Sequence, residues 1–165
     1  LGYSGKEEPM VTFKKAISDQ EFEIGKNLFR AYAKELGIDL AFQNFEDELQ
    51  HIERQYGAPE GTLIIVYSDE GQAIGCFGIR KLDKEICELK RMYIHPEFRG
   101  QGIGNLLMEA SIEAGSQLGY QKIRLDTLAT MLPAIGLYKS YGFYAIEPYR
   151  YNPMEEAMYF ERKLT

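Results

Sequence analysis

The seven residues Arg99-Gly100-Gln101-Gly102-Ile103-Gly104-Asn105 concentrate features that bind phosphate. Glycines at alternate positions allow positive φ and let the main chain come close to a ligand. A helix is predicted from Ile103 onward, with Leu106, Leu107, Ala110 and Ala114 on its apolar face, and its first N–H groups point forward without partners. With the positive end of the helix dipole and Arg99 beside them, those donors suit a phosphate or diphosphate. The plainer alternative is a turn that only tightens strand-to-helix packing.

Two phosphate-binding patterns compete for this segment. A Walker loop ends Gly-Lys-Ser or Gly-Lys-Thr, whereas this one ends Gly104-Asn105-Leu106, which rejects it. A dinucleotide fingerprint of a nicotinamide-dependent enzyme is closer, because Asp126 follows at the distance of a ribose-binding acid. It fails in two places. Position 105 is Asn instead of the third glycine, and His95 to Arg99 separate the preceding strand from the first glycine.

Composition narrows the partners. The chain has 165 residues, 25 acidic and 19 basic, for a net charge of −6, the size of one domain. That balance supplies no field to gather nucleic acid or an anionic membrane, so neither is expected as a partner. The longest apolar run, Leu63 to Tyr67, is far short of the ~20 residues that span a bilayer. No basic-then-apolar leader opens the sequence, and a cytoplasmic location is expected. Cys76 and Cys87 are the only thiols and His51 and His95 the only histidines, too few and too scattered for a disulfide framework or a zinc set. No metal is expected. Residues 1–9 read as a frayed or expression-derived end, leaving 10–165 as the domain.

The elements that must position the glycine-rich segment follow from periodicity. Val11 to Ala16 reads as a strand. Ser18 and Glu21 form a capping box for a helix that Gly37 ends. Phe42, Phe45, Leu49, Ile52 and Tyr56 step by three and four into a second helix, with His51 on its polar side and Glu46-Asp47-Glu48 on a solvated face. Leu63 to Tyr67 and Ala73 to Arg80 form a hairpin around Asp69-Glu70-Gly71, and Ile86 to Ile94 is a further strand. After the helix at 103, Lys122 to Leu128 is a strand with Ile123 and Leu125 inward. Pro133 starts a short helix, Gly142 stops it, and Phe143 to Glu147 and Ala157 to Leu164 close the chain. The expected class is α/β, a central mixed and mostly antiparallel sheet of about seven strands with helices on both faces. The order is strand, two helices, three strands, helix, strand, helix, two strands.

At Arg99, Gly102 and Gly104, after Leu89-Lys90-Arg91-Met92-Tyr93-Ile94, and again at Leu137-Tyr138-Lys139-Ser140-Tyr141-Gly142-Phe143, the sequence resembles the GNAT superfamily of acetyl-CoA-dependent N-acetyltransferases. The first stretch matches the Arg/Gln-x-x-Gly-x-Gly/Ala signature, the second a Leu-Tyr-x-x-x-Gly-Phe segment. The resemblance covers roughly residues 86 to 147. It implies a GNAT-like single domain and acetyl-CoA as co-substrate, its diphosphate held by Arg99, Gly100, Gln101, Gly102, Ile103, Gly104 and Asn105. It also implies that Met92, Tyr93 and Ile94 pair with the pantetheine arm, with Leu128, Met131 and Lys139 on the other side of the cofactor. Met131 stands where the family often has Asn. Tyr138 matches the tyrosine that hydrogen-bonds the cofactor sulfur.

An amine attacks only when neutral, so a proton acceptor is required. Glu88, at the front of the strand beside the cofactor, is the candidate that the resemblance implies, and it can equally be an exposed residue paired with Lys90 or Arg80. Arg80, Arg91, Asp126, Tyr149, Tyr151 and Asn152 are polar groups near strand ends and the last hairpin. Together they could hold both ends of a small zwitterionic amine, an arginine forking onto its carboxylate. Cys76 reads as a buried thiol, not a nucleophile. The expected activity is transfer of an acetyl group to the primary amine of a small acceptor by direct attack in a ternary complex. The alternative is a non-catalytic acyl-CoA-binding module. Exposed aromatics of the last strand make a homodimer conceivable.

Overall fold

A computed structural model of the chain describes residues 10–37, 40, 44–154 and 156–164. Residues 1–9 and Phe42, assigned above to a frayed end and to the second helix, lie outside them. The elements run β1 (Val11–Lys15), α1 (Asp19–Leu36), α2 (Phe45–Gln50), α3 (Ile52–Tyr56), β2 (Thr62–Ser68), β3 (Ala73–Lys81), β4 (Ile86–Ile94), α4 (Ile103–Gln117), β5 (Lys122–Leu128), α5 (Leu132–Ser140), β6 (Tyr144–Ile146) and β7 (Ala157–Lys163). The sheet order is β1-β2-β3-β4-β5-β7-β6. Among the described residues only β4 and β5 pair in parallel.

The capping box forms as expected: Glu21 N–H donates to Ser18 Oγ at 3.1 Å and Ser18 N–H to Glu21 Oε1 at 3.0 Å. Gly37 closes α1 at φ +65°. The expected second helix is instead two, broken at His51 with φ −117° and ψ 30°. One apolar stripe, Phe45, Leu49, Ile52 and Tyr56, is buried along both pieces, so the hydrophobic spacing carries no trace of the break.

Each sheet face has its own core. Ile103, Leu107 and Met108 of α4 pack with Phe77, Ile79, Leu89, Ile123, Leu125 and Phe160. On the other face Phe22, Phe29, Leu49, Ile52 and Tyr56 pack with Leu63, Ile65, Cys76 and Tyr93. Two irregularities in β4 shape everything that follows. Its pairing with β5 covers only Ile86 to Glu88 against Lys122 to Arg124, after which the two strands part. Its pairing with β3 slips between Cys76, opposite Tyr93, and Gly78, opposite Lys90. The extra residue is a β-bulge in β4, with Arg91 at φ +57°. Strict alternation would put Arg91 on the α4 face with Leu89. The bulge instead sends Arg91 towards α1 and α2 and returns Met92 to the α4 core.

Candidate active site

Where β4 and β5 diverge, a cleft of about 640 Å³ opens between Leu89 to Ile94 and Leu125 to Leu128, walled by α1 and α5. From Leu89 onward the β4 edge has no strand neighbour on this side among the described residues.

The glycine-rich segment stands at one end. Gly100 and Gly102 have φ +78° and +85°, and a Cβ added at either would meet no atom within 4 Å. The main chain there is open to a ligand. Gly102 caps α4 without any side-chain bond to the helix head, so the N–H groups of Ile103, Gly104 and Asn105 have no such partner. Ile103 buries its side chain in the core and Gly104 lines the cleft. Gln101 is exposed, and Asn105 Oδ1 accepts from the Tyr141 hydroxyl at 3.2 Å. Arg99 also lines the cleft. Its Nε donates to Ile94 O at 2.9 Å and its Nη2 to Glu35 Oε2 at 2.6 Å, a bridge to α1. That guanidinium holds the Glu35 carboxyl below its usual range. The donors and the open glycines fit a diphosphate.

Met92, Tyr93, Ile94, Leu128 and Met131 all line the cleft, and Lys139 is exposed outside it. Tyr138 lines it from α5, its ring centroid 6.0 Å from that of Phe143 and 6.3 Å from that of Phe160. Burial pushes the phenol well above its ordinary pKa, so it stays protonated and is a donor.

The acceptor candidates separate into three groups. Arg91, Asp126 and Asn152 line the cleft. Arg80 and Tyr149 lie outside its lining, in contact with Glu88. Tyr151 is 85% exposed and joins neither group.

Glu88 is fully buried and does not line the cleft, which corrects the expectation of an exposed strand residue. Arg80 Nη2 lies 2.9 Å from its Oε1, while Tyr149 donates to its Oε2 at 2.6 Å and Arg150 bonds the same oxygen. Burial raises its pKa, but the charges of Lys90, Arg80 and Arg150 outweigh that and hold it at about 2. A carboxylate so engaged is a poor match to an ammonium proton.

Glu48 overturns another reading. Glu46 and Asp47 are exposed, but Glu48 is 1% exposed. Its Oε2 accepts from Arg91 Nε at 3.0 Å, and Arg80 Nη1 stands 3.4 Å from its Oε1. The signal was available: Glu48 falls three residues after Phe45 and four before Ile52, on the apolar face of the helix. Lys90, named above only as a possible partner of Glu88, and Tyr32 and Arg150 were given no site role from the sequence. Lys90 and Tyr32 line the cleft, and Arg91 lies 5.9 Å over the Tyr32 ring. Cys76 is buried as expected, its Sγ donating to Arg91 O at 3.4 Å, and burial raises its pKa.

Among the described residues no group of His, Cys, Asp and Glu could hold a metal ion, and no helix is long and apolar enough to cross a membrane.

The acetyltransferase (GNAT) family model matches residues 26–143. An uncharacterized N-acetyltransferase of Schizosaccharomyces pombe is 40% identical over 147 residues, 88% of this chain and 90% of its own. Among solved structures, a GNAT-family acetyltransferase of Staphylococcus aureus has a TM-score of 0.77 at 20% identity, over 94% of this chain and 100% of its own. A GNAT-family acetyltransferase of Elizabethkingia anophelis with acetyl-CoA bound has a TM-score of 0.68 at 20% identity, over 93% of this chain and 97% of its own. Given the extent of the family match and the identity to the yeast protein, the chain belongs to the GNAT family of acetyltransferases.

Proposed function

We propose that the protein transfers the acetyl group of acetyl-CoA to the primary amine of a small, carboxylate-bearing acceptor, by direct attack in a ternary complex. The observation that carries this reading is the parting of β4 and β5 beyond Glu88 and Arg124. It leaves one open strand edge with diphosphate-binding donors at one end and a charged wall at the other. The acetyl-CoA bound by a neighbour of the same fold supports that cofactor.

When bound, acetyl-CoA supplies an activated acetyl group and a thiolate leaving group. The N–H groups of Ile103, Gly104 and Asn105 hold its diphosphate. The main chain of Met92 to Ile94 aligns its extended arm, as a strand added to a sheet edge would be aligned. Tyr138 holds a proton on its hydroxyl for the departing sulfur. On the acceptor side, Arg91 is anchored by Glu48 through Nε and Nη2 and presents a fixed cation to the acceptor carboxylate. Glu88 anchors the segment that follows β6, through Tyr149 and Arg150, and so holds Asn152 and Met154 at the cleft wall.

Calorimetry with coenzyme A and with NAD, followed by acetyl-CoA turnover over amino acids, polyamines, aminoglycosides and peptides, tests the reading. Saturable binding of coenzyme A alone and turnover with amino acids are expected. Binding without turnover on any acceptor would leave an acyl-CoA-binding module, and activity confined to peptides would remove the small acceptor.

A further inference from the structure

Lys90 is a lysine with a side chain 3% exposed, in a site whose carboxylate candidate, Glu88, is already engaged by Arg80, Tyr149 and Arg150. It lines the cleft directly beside the bulge, and its Nζ lies 3.8 Å from Asp126 Oδ1, on the opposite wall of the same cleft. We propose that Lys90, partnered by Asp126, is the proton acceptor for the attacking amine. The proposal rests on the acetyl-transfer reading above.

One proton moves from the acceptor's ammonium nitrogen to neutral Lys90 Nζ, and the lone pair left behind is the nucleophile. Lys90 becomes an ammonium facing the Asp126 carboxylate, which stabilises the charge as it forms. The departing thiolate takes the Tyr138 proton, the second amine proton, lost as the amide forms, restores the Tyr138 hydroxyl, and Lys90 returns its own proton to water before the next cycle.

A lysine of ordinary pKa, about 10.4, would be protonated and useless at neutral pH. Here burial lowers Lys90 to about 8, with Glu88 opposing, Arg91 assisting, Asp126 opposing and Arg80 assisting. Among the described residues these charges stand on β3, β4 and β5, and the phenols of Tyr32 on α1 and Tyr138 on α5 line the same cleft. A group titrating close to the working pH is suited to proton transfer.

Three measurements test this. The Lys90 13Cε resonance of the ligand-free protein, assigned by its absence in Lys90→Arg, is expected to titrate near pH 8, and kcat/KM is expected to rise through the same pH. Lys90→Met and Lys90→Arg are expected to bind coenzyme A as the parent does and to lose at least ~100-fold in kcat. The arginine variant separates proton acceptance from a mere need for positive charge. Asp126→Asn removes a neighbour that favours the ammonium, so the resonance midpoint and the rate limb should both move to lower pH. The proposal is overturned by a Lys90 midpoint above 10, by a Lys90→Arg enzyme with parental kcat, or by a limb that stays put while the resonance moves. Absence of coenzyme A binding and turnover in the parent would sink the transferase reading itself, whatever Lys90 does.

Discussion

Tyr149 donates its hydroxyl to Glu88 Oε2 at 2.6 Å, joining the segment before β7 to the last β4 residue that still pairs with β5. Arg150 bonds the same oxygen and Tyr159 donates to Arg150 O at 3.2 Å, so one carboxylate ties down the wall that carries Asn152. Replacing Glu88 by Gln keeps its shape and removes its charge. The acceptor KM should rise about tenfold with kcat within about threefold and coenzyme A affinity unchanged, because acceptor-side positioning is lost and no proton acceptor is. The acid limb should move to lower pH, because Glu88 favours the Lys90 ammonium, whereas loss of kcat at every pH would return the base role to Glu88. The same residue sets acid stability. Its pKa is held from 4.5 down to about 2, a depressed carboxylate whose stabilisation, about 3 kcal/mol, is present above pH 4.5 and lost as pH falls towards 2. Urea unfolding between pH 2 and 5 should show this slope in the parent and a shallower one in Glu88→Gln.

Tyr138 packs among Phe143 and Phe160, so Tyr138→Phe retains the ring and deletes only the hydroxyl. Calorimetry should give parental coenzyme A affinity, and single-turnover assays a chemical step slower by ~100-fold or more. Unchanged turnover would remove the assigned donor.

The Glu35 carboxylate occupies the Arg99 guanidinium at 2.6 Å beside the glycine-rich turn proposed to hold the diphosphate. Glu35→Gln frees that guanidinium for the diphosphate. Coenzyme A should bind up to about fivefold tighter, the span of an exposed ion pair, with the gain shrinking at high salt. Weaker binding would mean that the bridge to α1 shapes the site instead of competing with the ligand.

Glu48 neutralises Arg91 in a buried setting, so Glu48→Ala leaves a buried cation uncompensated and should destabilise the fold by about 3–5 kcal/mol in urea unfolding. Glu46→Ala, two residues earlier and exposed, should change stability by no more than about 0.5 kcal/mol.

Local chemistry made much of this protein readable in advance. Ser18 with Glu21, the glycines at 37 and 142, and the alternation of Lys122 to Leu128 act within a turn or two of chain, so the elements they define can be read residue by residue. The segment from Arg99 to Asn105 is legible for the same reason: its φ values and its helix-head donors belong to neighbouring residues. Even Glu48 was written in the helical spacing, though a run of three acidic residues concealed it.

What the linear order could not determine depends on pairing across long separations. The bulge at Arg91 arises from a slip against β3 and reverses which face Arg91 and Met92 occupy, so simple alternation misassigns both. Whether Glu88 faces solvent or three partners is decided by Arg80 on β3 and by Tyr149 and Arg150 in the loop before β7. The parting of β4 and β5 brings Lys90 opposite Asp126 across a cleft. Residue types and their nearby spacing therefore determined the class, most of the elements and the glycine-rich turn. Tertiary structure alone decided which charges meet, because burial and an ion pair are properties of what the rest of the chain brings alongside.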